Sequence, residues 1–374
     1  MLFSDRQFID CLFPKNPYIL HLYLSVMAGV LKGDTVILKD QKEGSQLYNR
    51  GNYGYPLSGG GIELDLIEAT YLVECNRLTV THNGKECPFE YLFSYSSSNY
   101  DEFDIKYIVY RDIRQRGFVV KNESGDFDMA VFPRGMTLSN SRPQYYLKAV
   151  SERTAFDIST FRENVKETNN KGKQLLYGVV DEEGDLTYYI MSTKDPVGFI
   201  DSEPEGKALG IVVRDRVFVF DRNDSELLRS SAFYGKMISD VLQLSLIESC
   251  HLMEKGILKV VTADGDCVTL DELKASGREF QDEFDLRLRA FSDLRRRGLV
   301  VKTGFKYGTH FRVYEKSPDD CHARYLVHSV SGTNRTMWPE ISRAVRLSGG
   351  VKKEILFCRV TDRTEYMEFK WFRP

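Results

Sequence analysis

Alternating and helix-spaced apolar residues divide the chain into segments that recur. The stretches TVILKD (35–40) and RVFVFD (216–221) alternate apolar and polar residues, as half-buried strands do. Each is followed by apolar residues at helical spacing, in IELDLIEATYLVE (62–74) and LQLSLIESCHLME (242–254). The pattern therefore predicts two small α/β domains, one in each half of the chain.

A second kind of segment follows each of these domains. Residues 102–116 and 283–297 have helical spacing and stop at Gly117 and Gly298, because glycine commonly ends a helix. Strands rich in Val, Phe and Tyr come next, then a loop, another helix and a closing pair of strands. The stretch 192–207 has two prolines, two glycines and mixed charge, which predicts a linker.

The two halves are copies of one unit. EFDIKYIVYRDIRQRGFVVK (102–121) and EFDLRLRAFSDLRRRGLVVK (283–302) nearly coincide, and a single offset of 180–181 residues covers most of the chain. We infer duplication and fusion of a two-domain unit, and we leave residues 1–30 unassigned. The predicted segments are 1–100 (N-terminal extension and first N-terminal-type domain), 101–198 (the domain after it), 199–207 (linker), 208–278 and 279–374 (the second pair).

Charge is distributed unevenly over an acidic chain. The net charge of −3 gives no overall attraction to nucleic acid. Residues 279–374, however, carry 19 Lys and Arg against 13 Asp and Glu, a net charge of +6, whereas residues 101–198 carry 14 against 16, a net charge of −2. Only the last quarter has the sign expected of a phosphate-binding surface.

The cysteines and the longest apolar run exclude several protein classes. Seven cysteines without a CxxC pair indicate reduced thiols rather than a zinc site or a disulfide framework. The run YILHLYLSVMAGVL (18–31) is shorter than the about 20 residues that a bilayer requires, and no basic region lies just ahead of it. We predict a buried helix there, in a cytoplasmic protein.

The copies differ where chemistry would be expected. When the strands FRVY and MAVF are aligned, Tyr314 stands opposite Phe132. His322, in the loop that follows, has no histidine opposite it, and the first copy offers only Pro143 and Gln144 nearby. One copy therefore keeps the scaffold without these two side chains.

A tyrosine, a histidine and a lysine suit general acid–base cleavage of an RNA phosphodiester. A base removes the proton of the ribose 2′-hydroxyl, an acid protonates the departing 5′-oxygen, and a cation stabilises the charge of the phosphorane. Lys353, which faces Lys173 in the first copy, could be both this cation and the one that lowers the pKa of Tyr314. From spacing alone, a core tyrosine beside a loop histidine remains the alternative.

The second half resembles a known family. DLRRRGLVVKTGFKYGTHFRVYEK, HARYLVHSV and AVRLSGGVKKEILFCRV are similar to the catalytic domain of archaeal tRNA-splicing endonucleases, and LSLIESCHLMEKGIL looks like that family's N-terminal domain. The resemblance implies a catalytic triad of Tyr314, His322 and Lys353. It also implies an α/β (α+β) fold, in which each copy joins a small N-terminal α/β domain to a restriction-endonuclease-like mixed-sheet domain.

The resemblance also implies the reaction and the substrate. Metal-independent cleavage, without a cofactor, would leave a 2′,3′-cyclic phosphate and a 5′-hydroxyl at a bulge–helix–bulge in precursor tRNA. His310 and His328 are rival histidines, for which packing roles are the commoner interpretation because they fall on or beside strands.

Residues that would bind RNA follow from the same resemblance. Arg346 lies seven residues before Lys353, where the family places an arginine that grips a bulged base. Trp371 is the candidate partner for that base, since splayed bases stack on aromatic and guanidinium planes, although it could instead pack in the core. Phosphate contacts are expected from three further cations, with solvated surface charge as the alternative: Lys352, Arg312 and Lys306.

One complete triad cannot make the two cuts that intron excision requires, so a homodimer is expected. The loop DEEGD would dock into a basic cleft of the opposite chain, through Asp181, Glu182, Glu183 and Asp185, unless it is a solvated turn. The loop RENVKETNNKGK (162–173) has no role that its composition can fix. Two other functions stay open: a non-catalytic RNA-binding or assembly subunit, and a metal-dependent nuclease of the same fold.

Overall fold

A computed structural model describes residues 27–123, 125–200, 203–230 and 232–374. The chain forms two compact units, Met1–Phe103 and Asp104–Pro374. Within the described ranges, no helix is long and apolar enough to cross a membrane.

The first unit contains one six-stranded sheet in the order β3-β4-β2-β1-β5-β6, with β1 parallel to β5 and its other pairs antiparallel. Its elements are β1 (Met27–Lys32), β2 (Thr35–Leu38), α1 (Gln41–Gly51), β3 (Tyr55–Pro56), β4 (Ile62–Asp65), α2 (Leu66–Glu74), β5 (Leu78–His82), β6 (Lys85–Cys87) and α3 (Phe89–Asn99).

The second unit begins with the first mixed-sheet domain. It consists of helix α4, six strands and a second helix, α5, and five of the strands belong to one large sheet. The elements are α4 (Phe103–Gln115), β7 (Val120–Asn122), β8 (Met129–Val131), β9 (Tyr145–Ser151), β10 (Ala155–Asp157), α5 (Ile158–Asn170), β11 (Gln174–Val180) and β12 (Leu186–Lys194).

The second N-terminal-type domain repeats the first sheet, in the order β15-β16-β14-β13-β17-β18. Its elements are β13 (Ala208–Val213), β14 (Arg216–Val219), α6 (Arg222–Ser230), β15 (Lys236–Ile238), β16 (Val241–Ser245), α7 (Leu246–Glu254), β17 (Leu258–Val261), β18 (Cys267–Val268) and α8 (Leu270–Phe280).

The second mixed-sheet domain repeats the element order of the first and ends the chain. It consists of α9 (Phe284–Arg296), β19 (Val300–Thr303), a 3₁₀ turn (Phe305–Tyr307), β20 (Phe311–Tyr314), β21 (Tyr325–Ser331), β22 (Arg335–Met337), α10 (Trp338–Gly350), β23 (Glu354–Val360) and β24 (Thr364–Phe372).

The two mixed-sheet domains share one ten-stranded sheet. Its order is β19-β20-β21-β23-β24-β12-β11-β9-β8-β7. The five strands of the second domain therefore occur in the reverse order of the equivalent strands of the first domain. Strands β12 and β24 pair antiparallel at the centre, with Lys194 opposite Tyr366 and Tyr188 opposite Phe372. This register places equivalent residues of the two copies symmetrically about the central pair.

Matching buried contacts support this pseudo-two-fold arrangement. The Tyr188 hydroxyl donates to Asp112 Oδ2 at 2.8 Å, and the equivalent Tyr366 hydroxyl donates to Asp293 Oδ2 at 2.7 Å. Both copies also contribute to one aromatic core, in which Trp338 of α10 lies 5.2 Å from the rings of Phe156 and Tyr177 (centroid to centroid). The copies are therefore joined by continuous backbone pairing and by shared side-chain packing.

Two predicted helices differ from the structure at their N-termini. The stretches at 62–74 and 242–254 each begin as a strand, β4 or β16, and become helical only at Leu66 and Leu246. The Asp65 carboxylate accepts from the backbone N–H of Glu68 and caps α2, while Ser245 and Glu248 form a reciprocal capping box at α7. These caps fix where each helix starts. The helix ends at Gly117 and Gly298 are as predicted, and both glycines have positive φ.

The predicted buried helix at 18–31 is wrong in its described part. Residues Met27–Lys32 form β1, in which buried and exposed positions alternate strictly. Strand pairing on both sides, with β2 and β5, overrides the apolar run. Residues 18–26 lie outside the described residues.

The predicted loop at 162–173 is also wrong, because residues up to Asn170 belong to helix α5. Asp157 caps the helix by accepting from the N–H groups of Ser159 and Thr160. Phe161 and Val165, four residues apart on one helix face, are fully buried in the shared core. The polar composition of this stretch describes only the outer face of the helix.

The predicted linker at 192–207 is structured over its first half. Its first three residues end β12, and the N–H groups of Gly198 and Ile200 then donate to the carbonyls of Arg297 and Gly298. A side chain at Gly198 would collide with the Gly298 carbonyl, so this close approach requires glycine. The segment up to Ile200 thus packs against the second copy.

Candidate active site

Tyr314 lies at the end of strand β20 with its side chain largely buried. It packs in a small cluster with Val300 and Ala323. Burial raises the pKa of Tyr314, and the nearby positive charge of Arg312 partly opposes that rise. The Arg312 guanidinium carbon lies 5.9 Å from the centroid of the tyrosine ring. Arg312 is thus a cation beside this phenol that the sequence had not suggested for this role, and the same role for Lys353 stays a prediction.

His322 is exposed in the loop between β20 and β21. The loop is fixed at both ends, because Cys321 N–H donates to the Ser317 carbonyl at 3.2 Å and Arg324 N–H donates to the Val313 carbonyl at 3.0 Å. The imidazole is therefore held on a short loop and remains accessible to a substrate.

Lys353 occupies the position between α10 and β23. Its Nζ donates to the carbonyl of Ala323, the residue after His322, at 2.9 Å, and lies 5.8 Å from the ring centroid of Tyr307. Since Tyr314 packs against the same alanine, Ala323 connects all three predicted catalytic residues. Segments distant in sequence are thereby brought to one place.

The first copy keeps the backbone and the lysine of this site but not its tyrosine or histidine. Phe132 is buried in a cluster with Val119 and Ala130, as Tyr314 is with its neighbours. Lys173 N–H donates to the Thr168 carbonyl at 2.8 Å, and Lys353 N–H donates to the Ser348 carbonyl at 2.9 Å. The lysine position is therefore equivalent in both copies, while the phenol is missing from the first.

A cleft of about 570 Å³ adjoins Lys353 and is lined by Arg346, Lys370 and Trp371 among others. The side chain of Trp371 is 52% exposed, so it does not pack in the core. The Arg373 guanidinium carbon lies over the Trp371 ring, 4.2 Å from its centroid. The cleft thus combines a flat aromatic surface with several cations.

The three cations predicted to contact phosphates lie in different environments. Lys306, on the 3₁₀ turn, and Lys352, before the catalytic lysine position, are exposed. Arg312 is half-buried beside Tyr314, and its Nε is enclosed without a hydrogen-bond partner among the described residues. The first two are open to solvent, whereas the third faces the tyrosine.

Comparison with known proteins gives a consistent picture of the whole chain. The model of the tRNA intron endonuclease N-terminal domain matches residues 27–93 and 208–274, and that of its catalytic C-terminal domain matches residues 103–188 and 284–369. The chain belongs to the tRNA intron endonuclease family. Both domains are present twice, which confirms the predicted family, duplicated fold and endonuclease class.

Curated relatives of this family align over nearly their full length. A tRNA-splicing endonuclease of Methanococcoides burtonii is 37% identical over 87% of this chain and 94% of the relative. Those of Methanosarcina mazei and Halobacterium salinarum are 36% and 32% identical, over 92% and 90% of this chain and 98% and 96% of their own lengths. The archaeal sources fit the predicted origin of the endonuclease.

The rival histidines of the endonuclease are half-buried and lie next to each other. The rings of His310 and His328 lie 5.4 Å apart, and Ser329 N–H donates to His310 Nδ1 at 3.0 Å. Burial, together with the charge of Arg287, lowers the pKa of His310 to about 3 and that of His328 to about 4. Both rings are therefore neutral near neutral pH.

The acidic loop of the endonuclease joins β11 to β12, as expected. Asp181 Oδ1 accepts from the N–H groups of Glu183 and Asp185 at 3.0 and 2.8 Å, which holds the turn closed. Glu182 pairs with Arg153 at 2.5 Å, and both side chains are mostly exposed. Within the described ranges, the carboxylates of Glu183 and Asp185 form no ion pair, so the loop presents negative charge outward.

Two features of the endonuclease were missed from sequence. Tyr307 lies beside Lys353 only because the 3₁₀ turn folds back, with its N–H donating to the Gly304 carbonyl at 2.8 Å. A second cleft, of about 840 Å³, is lined by six Lys and Arg and four carboxylates. Its cations are spread from residue 255 to residue 363, so no local signal could have revealed the cleft: Lys255, Lys274, Arg289, Arg296, Arg297 and Arg363.

Proposed function

We propose that this chain is a tRNA-splicing endonuclease that excises introns from precursor tRNA at bulge–helix–bulge motifs. The observation that carries the proposal is the convergence of Tyr314, His322 and Lys353 around Ala323. Family membership and the names of the relatives support the same conclusion.

The reaction is an internal transfer within RNA. Tyr314, as a phenolate, removes the proton of the 2′-hydroxyl, and the 2′-oxygen then forms a bond to the adjacent phosphorus. The bond from phosphorus to the 5′-oxygen breaks, and His322, as imidazolium, gives that oxygen a proton. The products are a 2′,3′-cyclic phosphate and a 5′-hydroxyl, and Lys353 stabilises the additional negative charge on the phosphorane.

The pKa of Tyr314 must be lowered by a nearby cation if this residue is to act as the base. Its raised pKa leaves little phenolate at neutral pH, and Arg312 is the cation that counteracts the effect of burial. Arg312 therefore acts on Tyr314, in addition to the phosphate contact predicted from sequence. Lys353, anchored at Ala323 O, is left to interact with the phosphate.

The adjoining cleft suits an unstacked base. Arg346 and Trp371 line it together with Lys353, and a base placed between a guanidinium and an indole would stack on both. The exposed Lys352 and Lys306 flank the same site and would contact the sugar–phosphate backbone.

The working enzyme is a homodimer in this proposal. Asp181, Glu182, Glu183 and Asp185 of one chain dock into the second cleft of the other, where six cations exceed four carboxylates. The closed turn that Asp181 maintains presents its neighbours' carboxylates without further ordering, which reduces the entropic cost of docking.

The test is cleavage of a precursor tRNA that carries a 2′-deoxy residue at one cut site. We expect cleavage at the normal site and none at the deoxy site, in excess chelator, with cyclic phosphate on the product. Cleavage at the deoxy site would indicate water or a metal-bound hydroxide as nucleophile, and the triad assignment would fail. Binding without any cleavage would favour a non-catalytic RNA-binding subunit.

A further inference from the structure

A network of ion pairs runs beside the proposed triad, and three of its members, Lys194, Glu354 and Glu368, line the same cleft as Lys353. Arg324, two residues after His322, donates from Nη1 to Glu315 Oε1 at 2.6 Å and from Nε to Glu354 Oε1 at 3.0 Å. Glu315 directly follows Tyr314, and Glu354 directly follows Lys353. The network therefore ties together the backbone segments that carry all three residues.

The network ends on a residue of the first copy. Lys194, the last residue of β12, lies 3.3 Å from Glu354 Oε2 and 3.2 Å from Glu368 Oε2. Beyond it, the Phe199 N–H donates to the Glu315 carbonyl at 2.8 Å. The copy without the triad thus contacts the active copy at two points of this network.

Equivalent positions in the first copy are uncharged. The bonds from Arg324 N–H to Val313 O and from Glu354 N–H to Arg324 O recur in the first copy as Gln144 to Val131 and Gln174 to Gln144. These hydrogen bonds, the strand alignment and the β12–β24 register show which positions are equivalent. The uncharged equivalents are Pro133 for Glu315, Gln144 for Arg324, Gln174 for Glu354, Phe372 for Lys194 and Ile190 for Glu368.

The contrast is clearest at the position of Lys194. Phe372, its equivalent, packs its ring 5.3 Å from that of Tyr145 (centroid to centroid), an apolar contact between β24 and β9 of the other copy. Joining the copies therefore does not require a charge here. Among the described residues, these charges lie on the side that carries the triad.

The network is partly enclosed, which makes its charges depend on one another. The side chains of Lys194 and Glu354 are 33% and 30% exposed, and that of Glu368 is 13% exposed. Burial would raise the pKa of Glu354, but hydrogen bonds from Arg324 and the charge of Lys194 outweigh it and lower that pKa. Without Lys194, two neighbouring carboxylates would face each other with one cation fewer.

We propose that Lys194 is a positioning residue for the active site, supplied by the inactive copy of the same chain. By holding Glu354, and through it Arg324 and Glu315, Lys194 fixes the segments on which Lys353, His322 and Tyr314 stand. The inference rests on the proposed triad. It assigns the duplicate a second task that is independent of its acidic loop.

The test compares Lys194→Met with Arg162→Met. Arg162 pairs with Glu365 across the same two copies at 2.5 Å and is 44% exposed, and Glu365 pairs in turn with Arg359 rather than with Glu354 or Arg324. We expect Lys194→Met to slow single-turnover cleavage about 10-fold at saturating enzyme, since misplacement of catalytic groups by fractions of an ångström reduces the rate. The affinity for the 2′-deoxy precursor should change less than about 2-fold. The loss of a residue that contacts RNA directly would reduce this affinity more. Arg162→Met should cleave at the wild-type rate.

Two further variants distinguish positioning from general structure. Lys194→Arg, which keeps the charge, should restore most of the rate. Glu354→Gln should slow cleavage similarly, and the double variant with Lys194→Met should be no slower than the slower single variant, because the two residues act through one network. Circular dichroism and sedimentation establish that each variant is folded and assembled.

The proposal is overturned if Lys194→Met cleaves normally, or if it weakens binding of the 2′-deoxy precursor without a change in the saturating rate. The second result would make Lys194 an RNA contact. Failure of the triad is a separate outcome, because it would show as normal cleavage by His322→Ala.

Discussion

The two mixed-sheet domains place different side chains at the same point of the sheet. In the first copy, Asp128 Oδ2 accepts from the Ala149 N–H at 2.9 Å, and Asp128 Oδ1 pairs with Lys106 at 3.2 Å. In the second, His310 Nδ1 accepts from the equivalent Ser329 N–H at 3.0 Å, with Arg287 nearby. The backbone bond is preserved although an ion pair has become a neutral histidine beside an arginine.

The same holds at the catalytic positions. The two copies have equivalent backbone hydrogen bonds at the strand ends, in the loops and at the lysine position. Only the second copy, however, has a tyrosine and a loop histidine there. Backbone geometry thus survives duplication more readily than side-chain chemistry. The comparison can be tested at four points, from the largest expected effect to the smallest.

The largest difference is expected between the two lysines of the triad position. Lys353→Ala, like His322→Ala or Tyr314→Phe, should slow single-turnover cleavage by about 10²-fold or more, because each removes a positioned charge, acid or base. Lys173→Ala, the matched change in the first copy, should leave the rate within about 3-fold of wild type, since exposed or half-exposed surface changes are usually mild. Equal losses from both lysines would mean that the first copy also takes part in the chemistry.

The acidic loop should be next in effect. Replacing Asp181, Glu182, Glu183 and Asp185 by Asn or Gln should weaken dimerisation by at least about 2 kcal/mol, roughly 30-fold in Kd, because charges in the opposite cleft lose their partners. Sedimentation velocity over a dilution series measures the dimer, and cleavage should fall in parallel.

A matched control for the loop is the exposed turn with Asp264 and Asp266, changed to Asn in both positions. This variant removes negative charge elsewhere and should dimerise normally. An unchanged dimer in the loop variant would identify DEEGD as a solvated turn.

The histidine pair should make the second copy sensitive to acid. The folded pKa values of about 3 for His310 and about 4 for His328 lie below the usual 6.5. The unfolded chain therefore binds protons first as the pH falls. Stability is lost from about pH 6.5 down to about pH 4 for His328 and about pH 3 for His310, by at most about 1.4 kcal/mol per pH unit for each histidine.

His310→Asn keeps an acceptor for the Ser329 N–H and removes one titrating group. Urea unfolding at pH 7.5, 6 and 5 should show a shallower loss of stability than in wild type. The same slope in both proteins would mean that His310 has the same pKa in the folded and unfolded chain. Asp128→Asn in the first copy serves as the comparison, and it should not reduce the loss between pH 6.5 and pH 5.

The smallest difference is expected at the symmetric tyrosines. Tyr366→Phe and Tyr188→Phe each remove a buried hydrogen bond to a carboxylate, of Asp293 or Asp112, and each should cost about 2 kcal/mol. The urea midpoints of the two variants should therefore agree closely. A cost confined to one of them would show that the two-fold relation is limited to the backbone.

Much of the fold could be predicted from the sequence because the duplication presents each apolar pattern and each helix-ending glycine twice. The helices that stop at Gly117 and Gly298 and the strands after them are set by local periodicity and by helix-ending glycines. Predictions failed where long-range pairing or capping outweighs composition. Residues of β1 form a strand rather than the predicted helix because they pair with two other strands. Helix α5 was predicted as a loop because its exposed residues are polar, although its other face is buried.

Within the site, the sequence identified Tyr314, His322 and Lys353 through the difference between copies and the family resemblance. It could not identify Arg312 as the cation beside Tyr314, nor place Tyr307 against Lys353, because those contacts depend on strand register and on one 3₁₀ turn. Trp371 was left open between core and surface, since a strand residue faces either side according to register alone.

The sequence by itself determined the duplicated architecture, the family and the one copy that carries a tyrosine, a histidine and a lysine. The tertiary structure alone decided that the two copies share a single ten-stranded sheet and that Lys194 of one copy reaches the carboxylates beside the site of the other. The physical reason is that local propensity and pattern act over a few residues, whereas strand order and ion-pair partners depend on contacts between segments more than 150 residues apart.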